Sequence, residues 1–171
     1  YSVKEIFYSL QGEGARSGRA AVFLRFSGCN LWTGRERDRT EATCRFCDTD
    51  FVGVDGPGGG KFEHAEALSR AVANAWPATS ETEIGSPYVV CTGGEPLLQL
   101  DTELIDALHN LGFEIAIESN GTIAAPPGVD WICISPKGTA SLAQTAGSEL
   151  KFVYPQPDAD AATFVNLDFE H

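Results

Sequence analysis

Tyr88-Val89-Val90-Cys91-Thr92-Gly93-Gly94-Glu95-Pro96 runs from an apolar block into two glycines, an acid and a proline. From Pro87 to Cys91 the apolar run reads as a buried strand. The residues after it can simply start a helix, because proline fixes φ at a first helical position and a glutamate there meets the positive end of the helix dipole. They can also mark a site. Folds of the α/β type place ligands at the carboxyl ends of their strands, and glycines let a ligand come close to the backbone.

Working outward, Asp101 to Leu111 sets Leu104, Ile105 and Leu108 on one helical face, with Gly112 as its C-cap, and Phe113 to Ile117 is the next strand. Val129 to Ser135 and Glu149 to Tyr154 read as further strands, and Asp158 to Phe164 as a short helix. On the other side, Glu63 to Trp76 spaces Ala65, Leu68, Val72, Ala75 and Trp76 as a helix that Pro77 stops. Ala20 to Phe26 is a strand apolar enough to be buried on both faces, which makes Arg25 conspicuous. Val3 to Leu10 is a short strand entering the turn Gln11-Gly12-Glu13-Gly14. Between these lie a long loop, 28–43, and a glycine-rich excursion from Asp48 to Lys61. Strands alternating with helices predict an α/β fold with a mostly parallel sheet, organised as one domain over residues 1–171. The pattern calls for another strand after the last helix, so the sheet is expected to be unfinished. Residue 1 is not a methionine, and it is not expected to be the translation start.

Twelve Lys and Arg against 24 Asp and Glu give a formal charge of −12, which disfavours nucleic acid phosphates as a partner. Arg35, Arg37 and Arg39 alternate with Glu36, Asp38 and Glu41, the pattern of a solvated loop. No apolar run approaches the roughly 20 residues that a membrane span needs, and the N-terminus has no signal-peptide character. A cytoplasmic protein acting on a small molecule is the expectation.

Five cysteines in such a protein point to metal or redox chemistry rather than disulfides. Cys91 and Cys133 sit inside apolar runs and read as small buried hydrophobes. Cys29, Cys44 and Cys47 are different: a CxxC pair aims two thiolates at one centre, and a third arrives from a loop after a strand. Three thiolates on a 4Fe-4S cluster would leave one iron open to a ligand. A zinc site closed by Cys91 or Cys133 is the competing reading, because structural zinc is tetrahedral with no open position. Spacing alone does not choose between them. Glu118-Ser119-Asn120-Gly121 and Ser135-Pro136-Lys137 also fall at strand ends, so polar and glycine-rich clusters recur along one rim.

The order of Leu10-Gln11-Gly12-Glu13-Gly14, Arg25-Phe26-Ser27-Gly28-Cys29, Cys44-Arg45-Phe46-Cys47-Asp48-Thr49, Thr92-Gly93-Gly94-Glu95-Pro96 and Ser135-Pro136-Lys137 resembles the radical S-adenosylmethionine (SAM) superfamily, and more closely its 7-carboxy-7-deazaguanine synthases. The superfamily's usual cluster motif is CxxxCxxC. Here fourteen residues separate the first two cysteines, as in one branch of these synthases, and added loop length costs little entropy. The resemblance implies an incomplete, modified β/α barrel that pairs as a homodimer and draws on an external electron donor. It implies that a reduced 4Fe-4S cluster held by Cys29, Cys44 and Cys47 cleaves SAM. The resulting radical takes hydrogen from C6 of 6-carboxy-5,6,7,8-tetrahydropterin, and ring contraction with loss of ammonia gives 7-carboxy-7-deazaguanine, a queuosine precursor.

By the same resemblance Phe46, Cys47, Asp48, Gly94, Ser135, Pro136 and Lys137 would contact SAM, and Thr49 would ligate Mg²⁺. Leu10, Gln11, Gly12, Glu13 and Thr92 would frame the pterin, and Arg25 would clamp its carboxylate, an arrangement suited to bidentate pairing. A structural ion pair is the alternative for Arg25. The synthases continue past the equivalent of His171 into a strand and tail, which this chain is expected to lack. A glycyl-radical-enzyme activase and a non-catalytic metal-binding module are the rival functions.

Overall fold

The structure is a computed structural model that describes residues 1–77 and 85–171. Its strands are β1 (Ser2–Leu10), β2 (Ala20–Phe26), β3 (Gly60–Lys61), β4 (Tyr88–Gly93), β5 (Glu114–Ser119), β6 (Trp131–Ile134), β7 (Ala146–Gly147), β8 (Glu149–Leu150) and β9 (Asp168–Phe169). Seven of them form one sheet in the order β3-β1-β2-β4-β5-β6-β8, while β7 and β9 pair separately. From β2 to β8 every pairing is parallel, and β1 is antiparallel to both β2 and β3. The mostly parallel α/β sheet expected from the sequence is present.

Period two decides what each face does. Val22, Leu24 and Phe26 of β2, Val89 and Cys91 of β4, and Ile115 and Ile117 of β5 share one core with two helices, α1 (Ala65–Ala75) and α2 (Thr102–His109). Leu68 and Val72 of α1 and Leu104 and Leu108 of α2 are fully buried there, each worth about 1.5–3 kcal/mol of transfer free energy. The Asp101 side chain caps α2 by accepting from the Leu104 N–H at 2.9 Å. Gly112, at φ +80°, then returns the chain into β5. On the opposite face Ala21, Tyr88, Val90 and Ala116 make a smaller apolar cluster against Phe23 and Trp131. Arg19 and Arg16 stack on Tyr88 and Trp131 from outside.

The face is apolar only at that amino end. Farther along the strands it carries Arg25, Thr92 and Glu118, so β2 is not buried on both sides throughout as its composition suggests. Three other expectations are corrected. Among the described residues α-helices occur only between β2 and β4 and between β4 and β5; the connections from β5 to β6 and from β6 to β8 are irregular. The strand expected over Glu149–Tyr154 stops at Leu150, because its partner β6 ends at Ile134. Ser135 instead donates its N–H back to the Ser119 carbonyl at 2.8 Å, and Pro136 has no N–H to offer. Asp158–Phe164 contains one 3₁₀ turn, Ala161–Thr163, in place of a helix.

Candidate active site

A cavity of about 790 Å³ opens over the carboxyl ends of β2, β4, β5 and β6. Cys29, Cys44, Phe46, Cys47, Asp48 and Thr49 line it from one side, Leu10 to Glu13 and Arg25 from another, and Thr92, Gly94, Ser135 and Lys137 from the strand ends. Of the residues expected to hold the cluster, SAM, magnesium or the pterin, only Pro136 stays off the wall; its carbonyl accepts from Gln156 Nε2 at 3.2 Å.

The three cysteines meet the cavity in different states. Cys44 is hydrogen-bonded to Cys47, which pushes the Cys44 thiol up and brings Cys47 down to about 6, helped by the backbone and hydroxyl of Thr49. Burial raises Cys29, against a hydrogen bond from the Leu31 N–H at 3.4 Å. Cys91 packs in the helix-side core, and neither it nor Cys133 lines the cavity. Among the described residues no three His, Cys, Asp or Glu side chains converge on a point where one ion would sit. Three thiols on one cavity suit a 4Fe-4S cluster with one iron left open, whereas a structural zinc closes with four protein ligands.

The glycine pair after β4 serves the chain itself. A Cβ on Gly93 would lie 2.4 Å from the Phe26 carbonyl oxygen, and one on Gly94 would lie 2.1 Å from that of Gly28 and 2.8 Å from Cys29 Cβ. The turn therefore presses against the loop that carries Cys29, and the Glu95 N–H donates to the Gly28 carbonyl at 2.9 Å. Glu95 is fully buried, and its carboxylate accepts from the Leu97 N–H (2.9 Å), the Ser119 hydroxyl (2.8 Å) and the Asn120 N–H (2.8 Å). Burial raises its pKa while those donors pull the other way. One buried carboxylate thus joins the rims after β4 and β5.

Glu118 is the hub that the sequence left unassigned. It accepts from Gln11 Nε2 and Lys151 Nζ, both at 2.9 Å, and Thr92 Oγ1 lies 3.4 Å away. Lys151 also reaches Glu13 at 3.1 Å. Burial draws the Lys151 ammonium down, but Glu118 and its neighbours outweigh it and the net shift is upward. Arg25 donates through Nε to Glu5 at 2.7 Å, so an ion pair exists. Among the described residues its terminal nitrogens donate to no protein group, and the side chain still lines the cavity. Lys137 donates to the Ser135 carbonyl at 2.8 Å and to its hydroxyl, and burial lowers its pKa.

Trp32, Phe51, Phe7 and Phe23 also line the cavity. Phe7 and Phe23 face each other across β1 and β2 with ring centres 5.2 Å apart. Period two in both strands contained that signal, but nothing in sequence said which face was the site. Arg39, expected on a solvated loop, instead turns inward over the Trp32 ring at 4.1 Å.

Helices on one side and an open, polar strand rim on the other make the sheet an incomplete β/α barrel of the radical SAM class. No family model matches the chain, but whole relatives do. It is 59% identical over 171 residues to the 7-carboxy-7-deazaguanine synthase of Burkholderia multivorans, covering all of this chain and 80% of that protein. With the synthase of Caulobacter vibrioides it shares 61% over 170 residues, 99% of this chain and 79% of the other. The chain belongs to the 7-carboxy-7-deazaguanine synthase family. Among solved structures, QueE from Escherichia coli superposes with a TM-score of 0.64 at 26% identity, covering 89% of this chain and 70% of that one.

Proposed function

We propose that the protein converts 6-carboxy-5,6,7,8-tetrahydropterin to 7-carboxy-7-deazaguanine with loss of ammonia, as a radical SAM enzyme. The observation that carries this reading is that Cys29, Cys44 and Cys47 share one cavity with a cation, Arg25, whose side-chain hydrogen bond among the described residues runs through Nε alone. The three thiolates would hold a 4Fe-4S cluster, which when bound supplies the electron that cleaves SAM. Phe46, Cys47, Asp48, Gly94, Ser135, Pro136 and Lys137 would hold SAM. Arg25 would take the pterin carboxylate as a charge-assisted pair, and Leu10, Gln11, Gly12, Glu13 and Thr92 would frame the ring. Glu118, an acceptor already ringed by donors, suits the N–H groups of the pyrimidine edge. Phe7 and Phe23 supply an apolar wall that keeps water from a radical.

Thr49 would bring Mg²⁺ to the substrate, as hard oxygen donors do, although its hydroxyl donates to Cys47 in the structure. Unpaired cysteines suit a reducing compartment, and we place the protein in the cytoplasm. No described helix is long and apolar enough to cross a membrane. A homodimer and an external electron donor complete the reading. The test is anaerobic reconstitution followed by incubation with reductant, SAM, Mg²⁺ and 6-carboxytetrahydropterin. Product and 5′-deoxyadenosine are expected; unchanged pterin in a fully loaded, reduced sample overturns the reading.

A further inference from the structure

The residues between Cys29 and Cys44 do not hang as a slack tether. The Thr43 N–H donates to the Leu31 carbonyl at 3.1 Å, so the loop is tied shut at its base. Inside it, the 3₁₀ turn Glu36–Glu41 presents Arg39 to the cysteine turn. Arg39 Nη1 donates to the carbonyls of Arg45 and Cys47, each at 2.9 Å. Its Nε donates to both Glu36 oxygens, at 2.9 and 2.8 Å. The guanidinium stacks on Trp32, which is itself buried, meets Phe51 edge-on at 5.7 Å, and donates through Nε1 to the Arg35 carbonyl at 3.3 Å. One side chain therefore spans the insertion, the aromatic wall of the cavity and the carbonyls of the two residues on either side of Phe46.

We infer that Arg39 is a positioning residue for the iron-sulfur cluster: it clamps the Cys44–Cys47 turn and places a positive charge against the carbonyl of a ligand cysteine. Bridging the carbonyls of Arg45 and Cys47 holds the Arg45–Phe46 and Cys47–Asp48 peptide planes, and so restrains the swing of the Cys47 Cα–Cβ bond. The charge matters separately. One-electron reduction adds negative charge to the cluster, and a partly shielded cation nearby favours that state because the local dielectric is below that of water. Loss of Arg39 also leaves Glu36 unpaired, which adds to the same effect. The inference rests on the reading that Cys29, Cys44 and Cys47 hold a cluster.

The test compares the full-length wild type with Arg39→Ala, Arg39→Lys and Arg37→Ala, a control at an exposed arginine of the same turn. Each is reconstituted anaerobically with iron and sulfide. Iron per chain, the rate of bleaching by a chelator, the midpoint potential in a dye-mediated dithionite titration, and melting of the apo-protein are read. Arg39→Ala is expected to melt like the wild type, lose its cluster about tenfold faster or more, as loss of charged hydrogen bonds implies, and show a more negative midpoint. Arg39→Lys keeps the charge but not the fork or the stacking, so it restores the midpoint while recovering retention only in part. Arg37→Ala matches the wild type. Equal retention and midpoint in wild type and Arg39→Ala overturn the inference, as does an effect of Arg37→Ala as large as that of Arg39→Ala. A wild type that takes up no iron overturns the underlying reading, a result distinct from a failed clamp. Should Arg39→Ala melt lower, the midpoint of Arg39→Lys decides: an unrestored potential refutes the role of charge.

Discussion

Arg25 donates through Nε to Glu5, its partner across β1 and β2, and presents its remaining nitrogens to a cavity that also holds three thiols. Anchoring and binding are thus divided within one guanidinium, a geometry lysine does not reproduce. Arg25→Lys is expected to lower kcat/KM for the carboxylated pterin about 10- to 100-fold, chiefly through KM, since a charged hydrogen bond is worth about 1.5–3 kcal/mol; steady-state kinetics under anaerobic conditions measures it. At the far end of the sheet, Arg19 and then Arg16 hold the Glu114 carboxyl below its usual range. A carboxyl depressed in the folded state contributes stability above its unfolded pKa, and that contribution is lost as pH falls through the folded value. Glu114→Gln is therefore expected to flatten the loss of stability below about pH 5. At neutral pH it is expected to cost less than about 1 kcal/mol, because the pair is partly exposed; urea unfolding at a series of pH values shows both.

The turn after β4 illustrates how elements share a site. Its glycines have no room for a side chain because the backbone after β2 lies against them, and Glu95 carries the same constraint across to the rim after β5. Rim geometry is therefore set by backbone packing between elements before any ligand arrives. Gly94→Ala would force apart the turn and the loop bearing Cys29, and is expected to destabilise by about 1–3 kcal/mol, the usual cost of overpacking. Iron content after reconstitution should fall more than thermal stability does. An iron assay beside a melting curve separates the two, and a variant that keeps full iron content would show that the loop tolerates displacement. The helices tell a simpler story. Their spacing of apolar residues at three and four marked them in the sequence, and α1 and α2 lie within three residues of the expected bounds, because helical period is local.

Across the whole molecule the sheet separates stability from chemistry: α1 and α2 with the larger core lie on one face, and the cavity lies on the other. Leu108→Ala, fully buried in α2, is expected to cost about 2–5 kcal/mol yet leave the visible spectrum of the loaded protein unchanged. Denaturant melts and absorption together check this. What was legible in the sequence follows the same division. The longer strands, α1 and α2, the three cysteines of the CX14CX2C spacing, and the run of polar clusters at successive strand ends could be read locally, since period, turn residues and motif spacing belong to short stretches of chain. The length of β8 could not, because it depends on where β6 stops. The roles of Glu118 and Lys151 were invisible for a related reason: Gln11 and Glu118 are 107 positions apart, and only the strand order, antiparallel from β1 to β2 and parallel from there to β5, brings them to 2.9 Å. Arg39 read as solvated from its charged neighbours, whereas tertiary contacts with Trp32 and the carbonyl of Cys47 turned it inward. Sequence by itself determined the longer strands, α1 and α2 and the family, and it singled out Cys29, Cys44 and Cys47 as candidate ligands. The tertiary structure decided which face is the site and which polar groups meet there, since contacts between distant positions depend on strand order and register rather than on any local pattern.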